Sequence, residues 1–228
     1  LCLDRAGIVG PDGPTHHGLL DIAYLRGYPN IVLMGPKDEA EMRNMMLTAI
    51  EHPGPAALRY PRGNGFGVDI SGAPSRIEIG KGELLREGDD VAIIAYGSMV
   101  YPSMTAATNL EKEGIDATVV NARFVKPIDE ALIVSIANSH RLIVTVEEAY
   151  LAGGFGSAVM ELLEQRGIQD KVKVVRMGVP DRIVTHGDAK LLLAKYGLDA
   201  DGIYLKVKET AAALGAKRSG RKPLRAVK

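Results

Sequence analysis

A single cysteine, Cys2, occurs in 228 residues, so the chain can close no internal disulfide. With no signal-peptide pattern at its start, that favours a reducing compartment and a cytoplasmic location. Net charge is also missing: 28 basic residues balance 28 acidic ones. Nothing global therefore points to nucleic acid or to an anionic membrane. No stretch approaches the roughly 18 consecutive apolar residues of a membrane-spanning helix. Metal-ligand spacing, a nucleophile elbow and a Cys/His constellation are absent too.

What is present is an ordinary globular composition, 46% hydrophobic and 25% charged. The length suits one large domain or two small ones, with ample material for a core. Charge is uneven along the chain. Residues 215–228 hold Lys217, Arg218, Arg221, Lys222, Arg225 and Lys228 and no acid, which leaves a net of −6 for the rest. This tail reads as a disordered, solvated terminus. A polyanion-binding arm is the alternative, and the tail offers no aromatic side chain for stacking on bases.

The second half alternates short apolar runs with helical stretches. Strands are expected at 91–96, 117–120, 142–146 and 172–177, and helices at 99–113, 129–138, 155–165, 188–196 and 201–214. Short apolar runs bounded by turn residues suit strands buried on both faces, and the alternation implies right-handed βαβ units with a parallel sheet. The first half belongs to the same class but starts abruptly. Leu1-Cys2-Leu3 looks like the stub of a strand, followed by a strand at 31–34, a helix at 38–52 and a strand at 56–60. Two or three strands make a poor independent sheet. The expected fold is thus α/β, with two three-layer αβα units on mainly parallel sheets, the first incomplete. Glycines 63, 65, 67 and 72 with Pro74 mark a linker, so the expected division is 1–62, a linker over 63–80, a unit over 81–214, and the tail.

The densest chemistry lies in Asp4-Arg5-Ala6-Gly7-Ile8-Val9-Gly10-Pro11-Asp12-Gly13-Pro14-Thr15-His16-His17. Ligands collect at the carboxyl ends of strands in open α/β sheets, and this loop follows a strand stub. Histidine can move a proton near neutrality. His16 is as consistent with an ordinary surface loop as with function, and His17 reads as a bystander or a packing residue. His52, His140 and His186 read as structural. Arg62, in Arg59-Tyr60-Pro61-Arg62-Gly63, ends the next strand, so in a parallel sheet Arg5 and Arg62 reach one edge. Two guanidinium forks converging there suit a phosphate; pairing with local acids is the competing reading. Gly153-Gly154-Phe155-Gly156-Ser157 opens a helix where an anion can sit. Its spacing fits no phosphate motif, and the preceding Glu147-Glu148 would repel one, so it reads as a structural turn at a domain or subunit contact.

Taken together, several segments resemble the 1-deoxy-D-xylulose-5-phosphate synthases of the transketolase superfamily. They are Asp4-Arg5-Ala6-Gly7, Asp12-Gly13-Pro14-Thr15-His16, Asp21 to Arg26, Pro36-Lys37-Asp38-Glu39 and Arg59-Tyr60-Pro61-Arg62-Gly63. The later runs Arg123 to Asp129, Glu147-Glu148, Gly153 to Gly156 and Gly178-Val179-Pro180-Asp181 are similar to that family's C-terminal domain. The resemblance covers about residues 1–214. It implies a thiamine-diphosphate enzyme that joins pyruvate to D-glyceraldehyde 3-phosphate with loss of CO2, a first step toward isoprenoids, working as a homodimer. It implies that Arg5 and Arg62 hold the acceptor phosphate. His16 would contact the donor adduct and assist proton transfer at the acceptor carbonyl, and Asp12 would bind substrate hydroxyls or orient the donor.

The family's Gly-Asp-Gly…Asn motif for Mg2+ and diphosphate does not occur, and Gly88-Asp89-Asp90 is not its equivalent. The glutamate that activates the cofactor also lies upstream of Leu1 in the family. The expectation is a C-terminal portion of such a synthase, inactive alone, with no cofactor or metal ligand of its own. A subunit of a split transketolase-like enzyme and a non-catalytic sugar-phosphate-binding module are the alternatives. A plastid transit peptide upstream stays open.

Overall fold

The computed structural model describes residues 1–215, so the basic tail lies outside the described residues apart from its first position. Two sheets organise the chain. The first contains β1 (Cys2–Leu3), β2 (Val32–Met34) and β3 (Ala56–Arg59), all parallel, in the order β1-β3-β2. Its fourth strand, β7 (Phe124–Lys126), comes from the second half and pairs antiparallel with β2. The second sheet runs β4 (Glu83–Arg86), β6 (Ala117–Asn121), β5 (Val91–Ala95), β8 (Leu142–Tyr150) and β9 (Lys173–Val179). It is parallel except for β4, which is antiparallel to β6. The architecture is therefore α/β with mostly parallel sheets.

Strand β5 shows how the second unit forms its layers. Its residues are all fully buried, and they alternate between two cores. Val91, Ile93 and Ala95 pack with residues of α3 (Val100–Lys112), α6 (Ala189–Lys195) and α7 (Ala200–Ala213). Ala92 and Ile94 pack with α4 (Glu130–Ser139) and α5 (Phe155–Gln165). A strand covered on both faces cannot alternate apolar with polar, which is why it reads as a continuous apolar run.

The first sheet divides its faces differently. Val32, Met34 and Leu58 meet Met45 of α2 (Glu39–Glu51) on one side. Leu33 and Ala57 turn to the other side, into the same cluster as Ala92, Ile94, Tyr96 and Phe155. The two halves thus share a buried core. The stretch expected as a linker runs back along α2, where Phe66, Gly67 and Val68 N–H groups donate to Glu39, Ser75 N–H to Asn44, and Ile77 N–H to Thr48.

Helix starts follow from local capping. Asp38, Asp129, Asp188 and Asp199 each accept an N–H from the first turn of α2, α4, α6 and α7. Three short elements depart from the expected pattern: β4, β7 and α1 (Asp21–Leu25). The first two run antiparallel, outside the βα alternation, and none exceeds five residues.

Candidate functional site

Strand β1 aligns with β3 in parallel register, Leu3 opposite Arg59, and Ala6 N–H donates to Tyr60 O at 3.0 Å. The chain therefore leaves both strands at one edge, carrying Arg5 from the first and Arg62 from the second. The loop closes at a two-bond neck, where Gly7 and Gly18 exchange N–H···O bonds of 2.8 and 2.9 Å. Inside it, Gly10–Asp12 forms one 3₁₀ turn. Asp12 and His16 are related through this turn and not through a helical face.

At the rim, Arg62 pairs with Asp12 through Nη1. The hydrogen bond from Arg62 holds the Asp12 carboxyl below the usual range against the opposing effect of burial, and the charges of Arg62, His16 and Arg5 act in the same sense as the hydrogen bond. Arg62 thus contacts the Asp12 carboxylate, and Arg5 and His16 are near enough to influence it. Arg5, His16 and Arg62 are exposed. Arg5 forms no ion pair among the described residues, and His16 Nδ1 lies 3.0 Å from Thr15 Oγ1. An arriving phosphate would meet one unpaired guanidinium and would compete with Asp12 for the other. An exposed ion pair such as Arg62–Asp12 is readily exchanged, because solvent screens it in both states.

His17 serves the loop's position. Val9 N–H donates to its Nδ1 at 3.1 Å, which leaves Nε2 as the protonated nitrogen, 3.3 Å from Thr185 O. His140 is buried and bonded through both ring nitrogens, to Ile136 O and to Gly88 O. Both histidines thus hydrogen-bond to the backbone of the fold.

Beneath the rim lies a buried polar layer that sequence reasoning did not separate out. Arg59 is 4% exposed and Asp21 5%. Arg59 Nε donates to Asp21 Oδ2 at 2.7 Å, and its Nη2 donates to Gly18 O and Glu148 O, each at 3.2 Å. Burial opposes the Arg59 charge, but Asp21, Tyr96 and Glu148 together outweigh it and hold its pKa above the ordinary value. The Arg59 guanidinium also lies over the Tyr96 ring, 5.6 Å from its centre. Burial raises the Tyr96 phenol above its ordinary value, and its hydroxyl has no hydrogen-bond partner among the described residues.

The two adjacent glutamates point to different tasks. Glu147 accepts N–H bonds from Phe155 at 2.6 Å and Gly156 at 2.8 Å, at the start of α5. That helix has no side-chain cap of its own. The glycine-rich turn therefore does hold a carboxyl group, and it is the chain's own. Burial pushes the Glu147 carboxyl up to about 7, against the pull of those two N–H groups. The same turn abuts the first half: Arg26 Nε donates to Gly153 O at 2.7 Å. Glu148 instead accepts from Ile8 N–H and from Ser98 Oγ–H, both at 2.7 Å. Gly7, at φ 81°, passes so close that a Cβ there would collide with the Glu148 carboxylate. The available signal was charge inside otherwise apolar strands: Arg59 after Ala56-Ala57-Leu58, and Glu147-Glu148 within 142–149.

No group of three His, Cys, Asp or Glu side chains among the described residues is placed to hold a metal ion. Nor, among the described residues, is any helix long and apolar enough to cross a membrane.

Two family models match successive parts of the chain. The family model for the transketolase pyrimidine binding domain matches residues 1–66, and that for the transketolase C-terminal domain matches residues 80–203. The 1-deoxy-D-xylulose-5-phosphate synthase 1 of Geobacter metallireducens is 59% identical over 91% of this chain and 33% of its own length. The synthase of Trichormus variabilis is 56% identical, again over 91% and 33%. The chain thus spans about a third of the length of these curated relatives. Among solved structures, a split-gene transketolase described as an inactive beta4 tetramer superposes with a TM-score of 0.80 at 36% identity, over 92% of this chain and 66% of that one. A transketolase variant from Pichia stipitis shares the fold, with a TM-score of 0.70 at 23% identity, over 95% of this chain and 30% of that one. With one family model covering more than half of its 228 residues, the chain belongs to the transketolase family.

Proposed function

We infer that this chain supplies the acceptor side of the active site in a thiamine-diphosphate-dependent 1-deoxy-D-xylulose-5-phosphate synthase. The reaction joins pyruvate to D-glyceraldehyde 3-phosphate with release of CO2. The observation that carries this reading is the convergence of Arg5, Asp12, His16 and Arg62 at one sheet edge, in a chain 59% identical to a synthase of that name. Arg5 and Arg62 hold the phosphate, with Asp12 released from Arg62 to meet substrate hydroxyls. His16 stands at the acceptor carbonyl as a proton carrier.

Family membership implies dependence on thiamine diphosphate. The activating glutamate and the Mg2+–diphosphate residues belong to polypeptide outside this sequence. The 228 residues by themselves make no product, and the working enzyme is a homodimer.

The test is ligand binding by this chain. Titration with D-glyceraldehyde 3-phosphate should show saturable binding that weakens about tenfold in Arg62→Ala and again in Arg5→Ala. One charge-assisted hydrogen bond is worth roughly that much. Affinity unchanged in both variants would remove the phosphate role.

A second reading is a subunit of a split enzyme, favoured by the likeness to the split-gene transketolase chain. It predicts thiamine-dependent turnover on mixing with a polypeptide carrying the diphosphate motif. Its assembly would be stable to gel filtration. A mixture that stays inactive and unassociated would exclude it.

A further inference from the structure

The loop bearing Arg5, Asp12 and His16 belongs to the first sheet by sequence but is seated on the second unit. Ile8 and Leu19 pack in the same core as Val146, Val179, Val184 and Leu192. The polar anchor at that seat is Glu148, on the strand of the second sheet that faces the loop. Its Oε1 receives Ile8 N–H, three residues from Arg5 and four from Asp12. Its Oε2 is held by Ser98, which follows β5. Its backbone carbonyl receives Arg59, which also grips Gly18 at the loop's neck.

A buried carboxylate is a poor device for stability alone. Burial raises its pKa against the pull of Ser98 and Ile8, and a buried polar cluster replaced whole by apolar side chains usually leaves a core as stable or more so. What a carboxylate fixes is direction, because its acceptors must meet particular donors. Gly7 is left no room for a side chain beside it, so the peptide entering Ile8 has one seat.

We propose that Glu148 is a positioning residue for the phosphate site: through Ile8 N–H it sets the loop from which Arg5, Asp12 and His16 project, and Ser98 orients it. The C-terminal unit thereby governs acceptor affinity without touching the acceptor. This rests on the phosphate reading given above.

The experiment compares Glu148→Leu, Glu148→Gln and Ser98→Ala in this chain by three measurements: thermal midpoint, affinity for D-glyceraldehyde 3-phosphate, and exchange of the Ile8 amide. Glu148→Leu leaves Ile8 N–H and the Ser98 hydroxyl without their acceptor, so its midpoint should fall although the chain stays folded, while affinity falls about tenfold and Ile8 exchanges at least about tenfold faster, the size of one lost charge-assisted bond. Glu148→Gln, which keeps an acceptor for Ile8, should restore affinity to within about threefold. Ser98→Ala should fall between the two.

A folded Glu148→Leu that binds the aldehyde and protects Ile8 as the parent does would overturn the proposal. If that variant does not fold, Ser98→Ala decides: parental affinity and parental Ile8 exchange would overturn it. If the parent chain shows no Arg62-dependent binding, the phosphate reading fails separately. Ile8 exchange then still tests whether Glu148 holds the loop, and unchanged exchange would sink that claim too.

Discussion

Two arginine–aspartate pairs sit at adjacent levels of the same sheet edge, and they obey different physics. Arg62–Asp12 lies at the rim, with the arginine side chain 54% exposed. Arg59–Asp21 lies just beneath, almost wholly buried, with further bonds to two backbone carbonyls. Water can replace either partner of the upper pair at little cost, so a ligand can as well. Nothing can replace a partner of the lower pair without stranding a charge. The rim is built to exchange partners and the layer below to hold still. A loop that must present charges to a phosphate needs both.

The largest test of that contrast is Arg59→Met. It leaves Asp21 charged and buried, and should cost roughly 3–5 kcal/mol of stability. The double variant Arg59→Met with Asp21→Leu should recover most of that loss, since an apolar pair fills the site without an unpaired charge. Urea denaturation measures both. A loss below about 1 kcal/mol for the single variant would mean that water already reaches this layer.

The next effect is on pH dependence. Free Glu147 titrates near 4.5 and the folded group near 7. Between those values the folded state keeps a proton that the unfolded chain has released. The contribution is therefore fully present below pH 4.5 and is lost as pH rises through 7, on the order of 3 kcal/mol in all. Glu148, also raised by burial, adds in the same direction. Glu147→Gln removes the titration and keeps an acceptor at the start of α5. The decline in denaturation midpoint between pH 5 and 7.5 should then shrink clearly. A variant with the parental slope would place the titrating group elsewhere than at this helix end.

The same contrast explains what could be read from the sequence. Helices were legible because they alternate with short apolar runs that mark the strands between. The rim was legible because Arg5 and Arg62 follow strand ends in register, and parallel pairing of β1 with β3 does bring them to one edge. Antiparallel β4 and β7 were not, since three or four residues carry too little periodicity. Nor was the work of Glu147 and Glu148. Adjacent in sequence, they looked like one patch of repulsion. Successive side chains of a strand point to opposite faces, so one caps α5 and the other grips Ile8. The partners lie 8 and 140 residues away, and only the tertiary fold reveals them.

The smallest expected effect is the most discriminating at the rim. Asp12→Asn removes the carboxylate that occupies Arg62 and repels an arriving anion, while stability should not change measurably, because the pair is exposed. Inorganic phosphate, which has only charge to offer, should bind about two- to fivefold more tightly to this variant at low salt, and the gain should fade as salt screens it. D-Glyceraldehyde 3-phosphate should gain less, because its hydroxyl loses the carboxylate proposed to receive it. Equal gains for both ligands would reduce Asp12 to a gate on Arg62, with no part in reading the sugar. Weaker phosphate binding would show that Asp12 instead holds Arg62 in the orientation the phosphate needs, which would make the rim pair a fixed element like the one beneath it.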